Sequence, residues 1–192
     1  MPTEQHRPAQ QHDDERQHHS SERRTYLRFG AMIATSTVVM FALTYTNTFA
    51  AEHVRWSEER VYMALLMGAA MAVVMLAYMW GMYRNRRTNA AILVAAVVVG
   101  SAALGLSRSQ LLVDDRAYMN GMIPHHSIAI LTSERADIDD VRVRELADGI
   151  IETQRREIAE MKWLVADIEA NGEVTDPEEA DQRPVPEFSA QP

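Results

Sequence analysis

The chain has 192 residues, 47% hydrophobic and 24% charged, with a formal net charge of −8, twelve methionines and no cysteine. The lack of thiols excludes disulfide staples, thiolate zinc sites, iron–sulfur ligation and cysteine nucleophiles, and leaves methionine to carry any soft-metal chemistry. The long apolar runs all fall between Tyr26 and Gln110 while charge collects in the flanks, so a single water-soluble core is excluded too.

Residues 1–25 are polar, with five acidic and four basic side chains up to Arg24 and no apolar period that would bury a face. They are predicted to be a disordered cytoplasmic tail. His6, His12, His18 and His19 in this tail are read as solvated rather than as a chelating set. The apolar stretch that follows is too long for a secretory signal and lacks a small-residue cleavage pattern.

Residues 26–110 are predicted to form three transmembrane helices, Tyr26 to Ala50, Val61 to Tyr83 and Ala90 to Leu106, each long enough to cross about 30 Å of hydrocarbon. Arg7, Arg16, Arg23, Arg24 and Arg28 precede or open the first span, and Arg84, Arg86 and Arg87 crowd the turn between the second and third. Between the first two spans Arg55 and Arg60 are balanced by Glu52, Glu58 and Glu59. The positive-inside rule therefore places the tail and second turn in the cytoplasm and everything after the third span outside, in a plasma membrane. Tyr26, Trp56, Tyr62, Trp80 and Tyr83 sit near span ends as an interfacial belt does. Apart from Arg28 the spans hold no Asp, Glu, Lys, Arg or His, which argues against a pump, an ion transporter or a membrane cytochrome. In the second span Met63, Met67, Met71, Met75 and Met79 recur every fourth residue, with Met82 three further on. Such a row of thioethers is a conceivable path for a cuprous ion. Packing is the favoured reading, because methionine is a flexible filler and Ala64, Gly68 and Ala72 form a small-residue row on the same helix.

Residues 111–171 are predicted to be an exported antiparallel helical hairpin. Asp114 or Asp115 caps its first helix, which runs to about Arg135; Asp139 or Asp140 caps the second, which stops at Asn171-Gly172. Val143, Ala147, Ile150, Ile158, Met161, Leu164, Val165 and Ile168 mark the apolar stripe of the second helix, with Gln154 and Glu157 inside it and in need of partners. In the first helix Met119, Met122 and His126 fall within about 60° of arc, and His125 lies about 60° beyond Met122. Pro124 removes a helical hydrogen bond beside Gly121, so a bend is expected there. Thioethers with imidazoles suit monovalent copper or silver rather than hard cations. The candidate ligands are Met119, Met122, His125 and His126, completed by Met161 from the facing helix, with Gln154 or Glu157 orienting an imidazole from behind.

Tyr118 to Ile130, with its MIPHH core, and the later ELADGIIETQRREIAEMKWL from Glu145 to Leu164 resemble the bacterial family named domain of unknown function 305 over roughly residues 112–168. The resemblance implies a helical fold related to ferritin-like bundles, an exported or membrane-anchored setting and an association with copper. It also implies that Met119, Met122, His125, His126 and Met161 occupy the motif positions and Gln154 and Glu157 the polar positions of the second helix. One hairpin buries too little apolar surface alone, so dimerisation into a four-helix bundle is expected.

Residues 172–192 are acidic and proline-rich and predicted to be a disordered tail. From Arg108 to Pro192 there are nineteen acidic and nine basic side chains, which argues against a nucleic-acid partner. The fold class is thus all-α, three membrane spans followed by the hairpin. The leading functional expectation is a membrane-anchored protein that binds monovalent copper outside the cytoplasm for storage, buffering or transfer and is not an enzyme; its partners are the bilayer, the metal and a second copy. The alternatives are a metal-free helical interaction module and a ferritin-like oxidase, the last disfavoured because the hairpin lacks the Glu-x-x-His pattern of a di-iron bundle.

Overall fold

The computed structural model describes residues 7–189, with side chains from Ser21 onward. These residues form six α-helices and one 3₁₀ turn, and no strand occurs among them. The helices are α1 (Arg7–Leu43), α2 (Glu58–Tyr78), α3 (Arg86–Ser109), α4 (Asp115–Arg135), α5 (Val141–Asn171) and α6 (Pro177–Gln182), and the 3₁₀ turn is Ala51–His53. The backbone divides into two compact units, Met1–Met40 with Met63–Gly105, and Phe41–Tyr62 with Leu106–Pro192.

Three helical stretches, Ser21–Leu43, Glu58–Tyr78 and Arg86–Ser109, are long and apolar enough to cross a membrane. At 1.5 Å per residue even the shortest reaches about 32 Å, which matches a hydrocarbon core. Their ends differ from the sequence expectation for local reasons. The first span stops at Leu43 rather than Ala50 because Thr44 and Thr46 donate their hydroxyls to the carbonyls of Phe41 (2.7 Å) and Leu43 (2.8 Å), competing with continued helix. The third begins at Arg86 rather than Ala90 because the Asn85 side chain accepts from the amides of Arg87 and Thr88, both at 3.1 Å, as a helix cap.

α1 starts at Arg7, so helix extends over residues 7–25 of the polar N-terminal stretch. Pro8 in the first turn and a run free of glycine up to Phe29 both favour helix, and the apolar segment beyond supplies length for propagation. Residues 1–6 of that tail, His6 among them, lie outside the described residues, as do the side chains of His12, His18 and His19.

The first unit has its core at Phe29, Ala72, Leu76, Tyr83 and Ala96, with Met75 and Met79 packed against it. Part of the methionine row is therefore filler, while Met63, Met67 and Met82 are exposed. Ala64 and Ala72 are buried, and Gly68 lies so close to Thr37 that a methyl group there meets its hydroxyl, which is the close packing the small-residue row foretells. At one end Tyr26 donates its hydroxyl to Asn89 Oδ1 at 2.7 Å, and Asn89, almost fully buried, donates to the Tyr83 carbonyl at 2.8 Å.

The second unit is built on α4 and α5, which are joined by residues 136–140 and pack through Ile123, Ile130 and Ile158, with Ile151 and Met161 alongside. Asp114 caps α4 by accepting from Ala117 N, Asp140 caps α5 by accepting from Arg142 N, and Gly172, at φ 83°, ends α5 in a backbone region that favours glycine. α4 runs through the buried Pro124 as one helix. The apolar stripe expected on α5 is only partly covered. Ala147, Ile158 and Val165 are buried, whereas Val143 and Ile150 are exposed together with Leu146. The C-terminal segment also departs from the disorder expected over 172–192. Asp176 caps the short α6, Pro177 takes its first position, and Arg183 pairs with Asp167 of α5 and donates to the Gly172 carbonyl at 3.1 Å. Residues 190–192 lie outside the described part.

Candidate metal centre

A cavity of about 640 Å³ lies between α4 and α5, and its lining includes Met119, Met122 and His126 from α4 and Glu157 and Met161 from α5. Three thioethers and one imidazole thus face one space. Helical spacing explains this: Met119, Met122 and His126 are three and four residues apart, and Glu157 and Met161 are four apart. The burial is graded, since Met119 is buried while Met122, His126 and Met161 are half-buried.

The His126 ring is held at both nitrogens. Nδ1 lies 3.0 Å from the Met122 carbonyl and Nε2 lies 2.9 Å from Glu157 Oε2. Both partners are oxygen atoms able to accept a hydrogen bond. Gln154 Nε2 donates to the same Glu157 oxygen at 3.4 Å, so the two polar groups inside the α5 stripe are partnered with each other and with the imidazole. Nδ1–H on a backbone carbonyl is also the arrangement that fixes the tautomer of a ligating histidine and leaves Nε2 for a metal.

His125 is placed elsewhere. It is exposed and lines a separate cavity of about 420 Å³ with Ser57, Glu58, Glu59 and Arg60, where Met122 also contributes. Gln154 reaches the first cavity only through Glu157. Asp115, Tyr118, Glu160, Leu164 and Ile168 complete the lining; Leu164 and Ile168 lie on the stripe the sequence marked with Met161, whereas Glu160 was missed although it stands three residues after Glu157 in the helical period. Among the described residues no three His, Asp or Glu side chains converge as a metal set.

A second polar group braces the site. Ser127, fully buried beside His126, accepts from the Phe49 amide at 2.7 Å and contacts His53 Nδ1 at 2.9 Å. On its other side the His53 ring places Nε2 3.5 Å from Glu52. Lys162 of α5 donates to Glu52 at 2.6 Å and holds its carboxyl below the usual range, mainly through this bond. Burial first, and then the Lys162 charge, push His53 below the ordinary histidine value of 6.5. The unfolded chain therefore binds this proton more readily, and the neutral ring contributes stability that is complete above 6.5 and lost as pH falls through the lowered folded value. Hydrogen exchange at the Phe49 amide is expected to lose protection between pH 7 and pH 5, after correction for the intrinsic rate; equal protection at both would contradict the contact.

The family model for Domain of unknown function (DUF305) matches residues 104–188, a range that contains α4, α5 and α6. An uncharacterised protein, L153, of Acanthamoeba polyphaga mimivirus is 31% identical over 142 residues, which cover 70% of this chain and 91% of that protein. That relative is viral, whereas the sequence resemblance pointed to a bacterial family. No solved structure matches the chain.

Proposed function

The chain belongs to the DUF305 family, and we propose that it is a membrane-anchored protein whose α4 and α5 bind monovalent copper outside the cytoplasm, for storage, buffering or transfer rather than catalysis. The observation that carries this reading is the convergence of Met119, Met122, His126 and Met161 on one cavity with the His126 ring already fixed through Nδ1. A soft monovalent ion takes thioether and imidazole donors and needs no thiolate. Binding at Nε2 takes the place of its contact with Glu157, and the carboxylate then balances the charge of the ion beside it. Met161 closes the set from the opposite helix, so the ion ties α4 to α5. In this reading His125 is a peripheral group near the site rather than a fixed ligand.

The proposed quaternary form is a dimer in which two α4–α5 hairpins make a four-helix bundle. Val143, Leu146 and Ile150 support it, because they are exposed at spacings of three and four residues on α5 and leave an apolar strip that a second copy covers. The same strip favours the second reading, a metal-free interaction module.

A competition titration of the full-length protein in detergent, using Cu(I) against a chromophoric chelator, is the test. Near-stoichiometric Cu(I) bound with an affinity above that for Zn(II) is expected. Failure to compete for Cu(I), with self-association intact, would leave the interaction module standing.

A further inference from the structure

A cavity of about 980 Å³ outside the metal centre is a groove in the first unit between α1, α2 and α3. Its walls are largely apolar and include the small residues Gly30, Ala34, Ala69 and Ala72 as well as the exposed Leu27 and Val38. One end differs from the rest: Arg23, Glu22, Asn85 and Thr88 line it there, close to the hydrogen-bonded Tyr26. Arg24, Arg28, Arg84, Arg86 and Arg87 belong to the same two segments, and Glu22 is the single acid in residues 21–51 and 61–113. A groove among membrane-spanning helices with a cationic mouth is complementary to an acyl chain carrying an anionic headgroup. A second copy is a poorer occupant, because in a parallel pair it brings the same arginines to the same level.

We propose that this groove binds one anionic phospholipid, its acyl chain along Gly30, Ala34 and Ala72 and its phosphate at Arg23 and the neighbouring arginines. The site is independent of the metal centre and rests only on the three helices being membrane spans. Gly30 supplies the probe: a β-carbon there meets nothing within 4 Å, so Gly30→Leu adds its bulk to the groove from an open position. The full-length protein would be placed in phosphatidylcholine nanodiscs with spin-labelled phosphatidylglycerol or spin-labelled phosphatidylcholine, and the motionally restricted fraction measured. Phosphatidylglycerol is expected to be preferred several-fold, Arg23→Gln to reduce the preference by about fivefold per lost charge, and Gly30→Leu to abolish the restricted component while helicity and melting temperature are kept. Equal retention of the two lipids, or retention unaltered in Gly30→Leu, would overturn the site. Since the chain has no cysteine, Gly30→Cys adds a single thiol and gives a variant with less steric change. Ready disulfide crosslinking between two Gly30→Cys copies would assign the groove to a second copy and equally overturn the proposal; labelling of that thiol that bound phosphatidylglycerol slows would support it.

Discussion

Replacing His126 with alanine in the full-length protein is expected to weaken Cu(I) or Ag(I) binding by at least about a hundredfold, because loss of a group that merely orients a ligand already costs about 10–100-fold. His125→Ala is expected to change affinity by no more than about threefold, since that ring is exposed and lines a different cavity. Met122→Leu and Met161→Leu separate chelation from packing: leucine conserves most of the volume, and such swaps cost under about 1.5 kcal/mol of stability, yet each removes a sulfur from the cavity. Glu157→Gln keeps the shape beside Nε2 but removes the charge, and a loss of roughly tenfold is expected of it. Isothermal competition with Ag(I) measures the five variants and the wild type on one scale. If His126→Ala and His125→Ala are equally mild, the cavity between α4 and α5 is not the binding site.

The second large effect is structural. Ile123 is fully buried, and with Ile130 and Ile158 it forms the compact apolar cluster between α4 and α5. Ile123→Ala removes three carbons from a cluster with little else to collapse into the gap, so a loss of about 3 kcal/mol is expected, within the usual 2–5 kcal/mol range. Trp163, half-buried on α5, is a reporter for urea unfolding of this unit. The midpoint should fall, and metal affinity should fall with it, because Met119 and Met122 precede Ile123 on the same helix. A loss below about 1 kcal/mol would mean that something other than this cluster holds α4 to α5.

What was legible in the sequence was what the chain decides locally. Asp114, Asp140 and Gly172 end or begin helices through bonds to residues two to four positions away, and the sequence pattern located each to within one residue. The limits of the first span were not legible from hydropathy alone, because side-chain hydroxyls of Thr44 and Thr46 take the last carbonyls and hydropathy does not count them. The C-terminal segment was misjudged on composition: the Asp176-Pro177 start signal was present, yet what secures the segment is Arg183 reaching back to Asp167 sixteen residues earlier. At the candidate site the donor types and their helical spacing were readable, and so was the need of Gln154 and Glu157 for partners. Which of two adjacent histidines turns toward α5 was not readable, because a helical wheel fixes relative angles and not where the neighbouring helix stands. The bond from Phe49 to Ser127 spans 78 residues and leaves no periodic trace in either segment.

That long-range bond bears on the choice between the two histidines. Ser127 is pinned by the amide of Phe49 and by His53, both on the segment between α1 and α2, and it directly follows His126. Successive residues on a helix stand about 100° apart, so turning α4 on its axis by one such step would exchange His125 for His126 at the cavity. Ser127 acts as a keyway against that rotation. Where the cavity meets an imidazole is therefore set by a strap outside the helical pair, and severing it with Ser127→Ala puts the azimuth of the whole of α4, and with it the identity of the facing histidine, back in play.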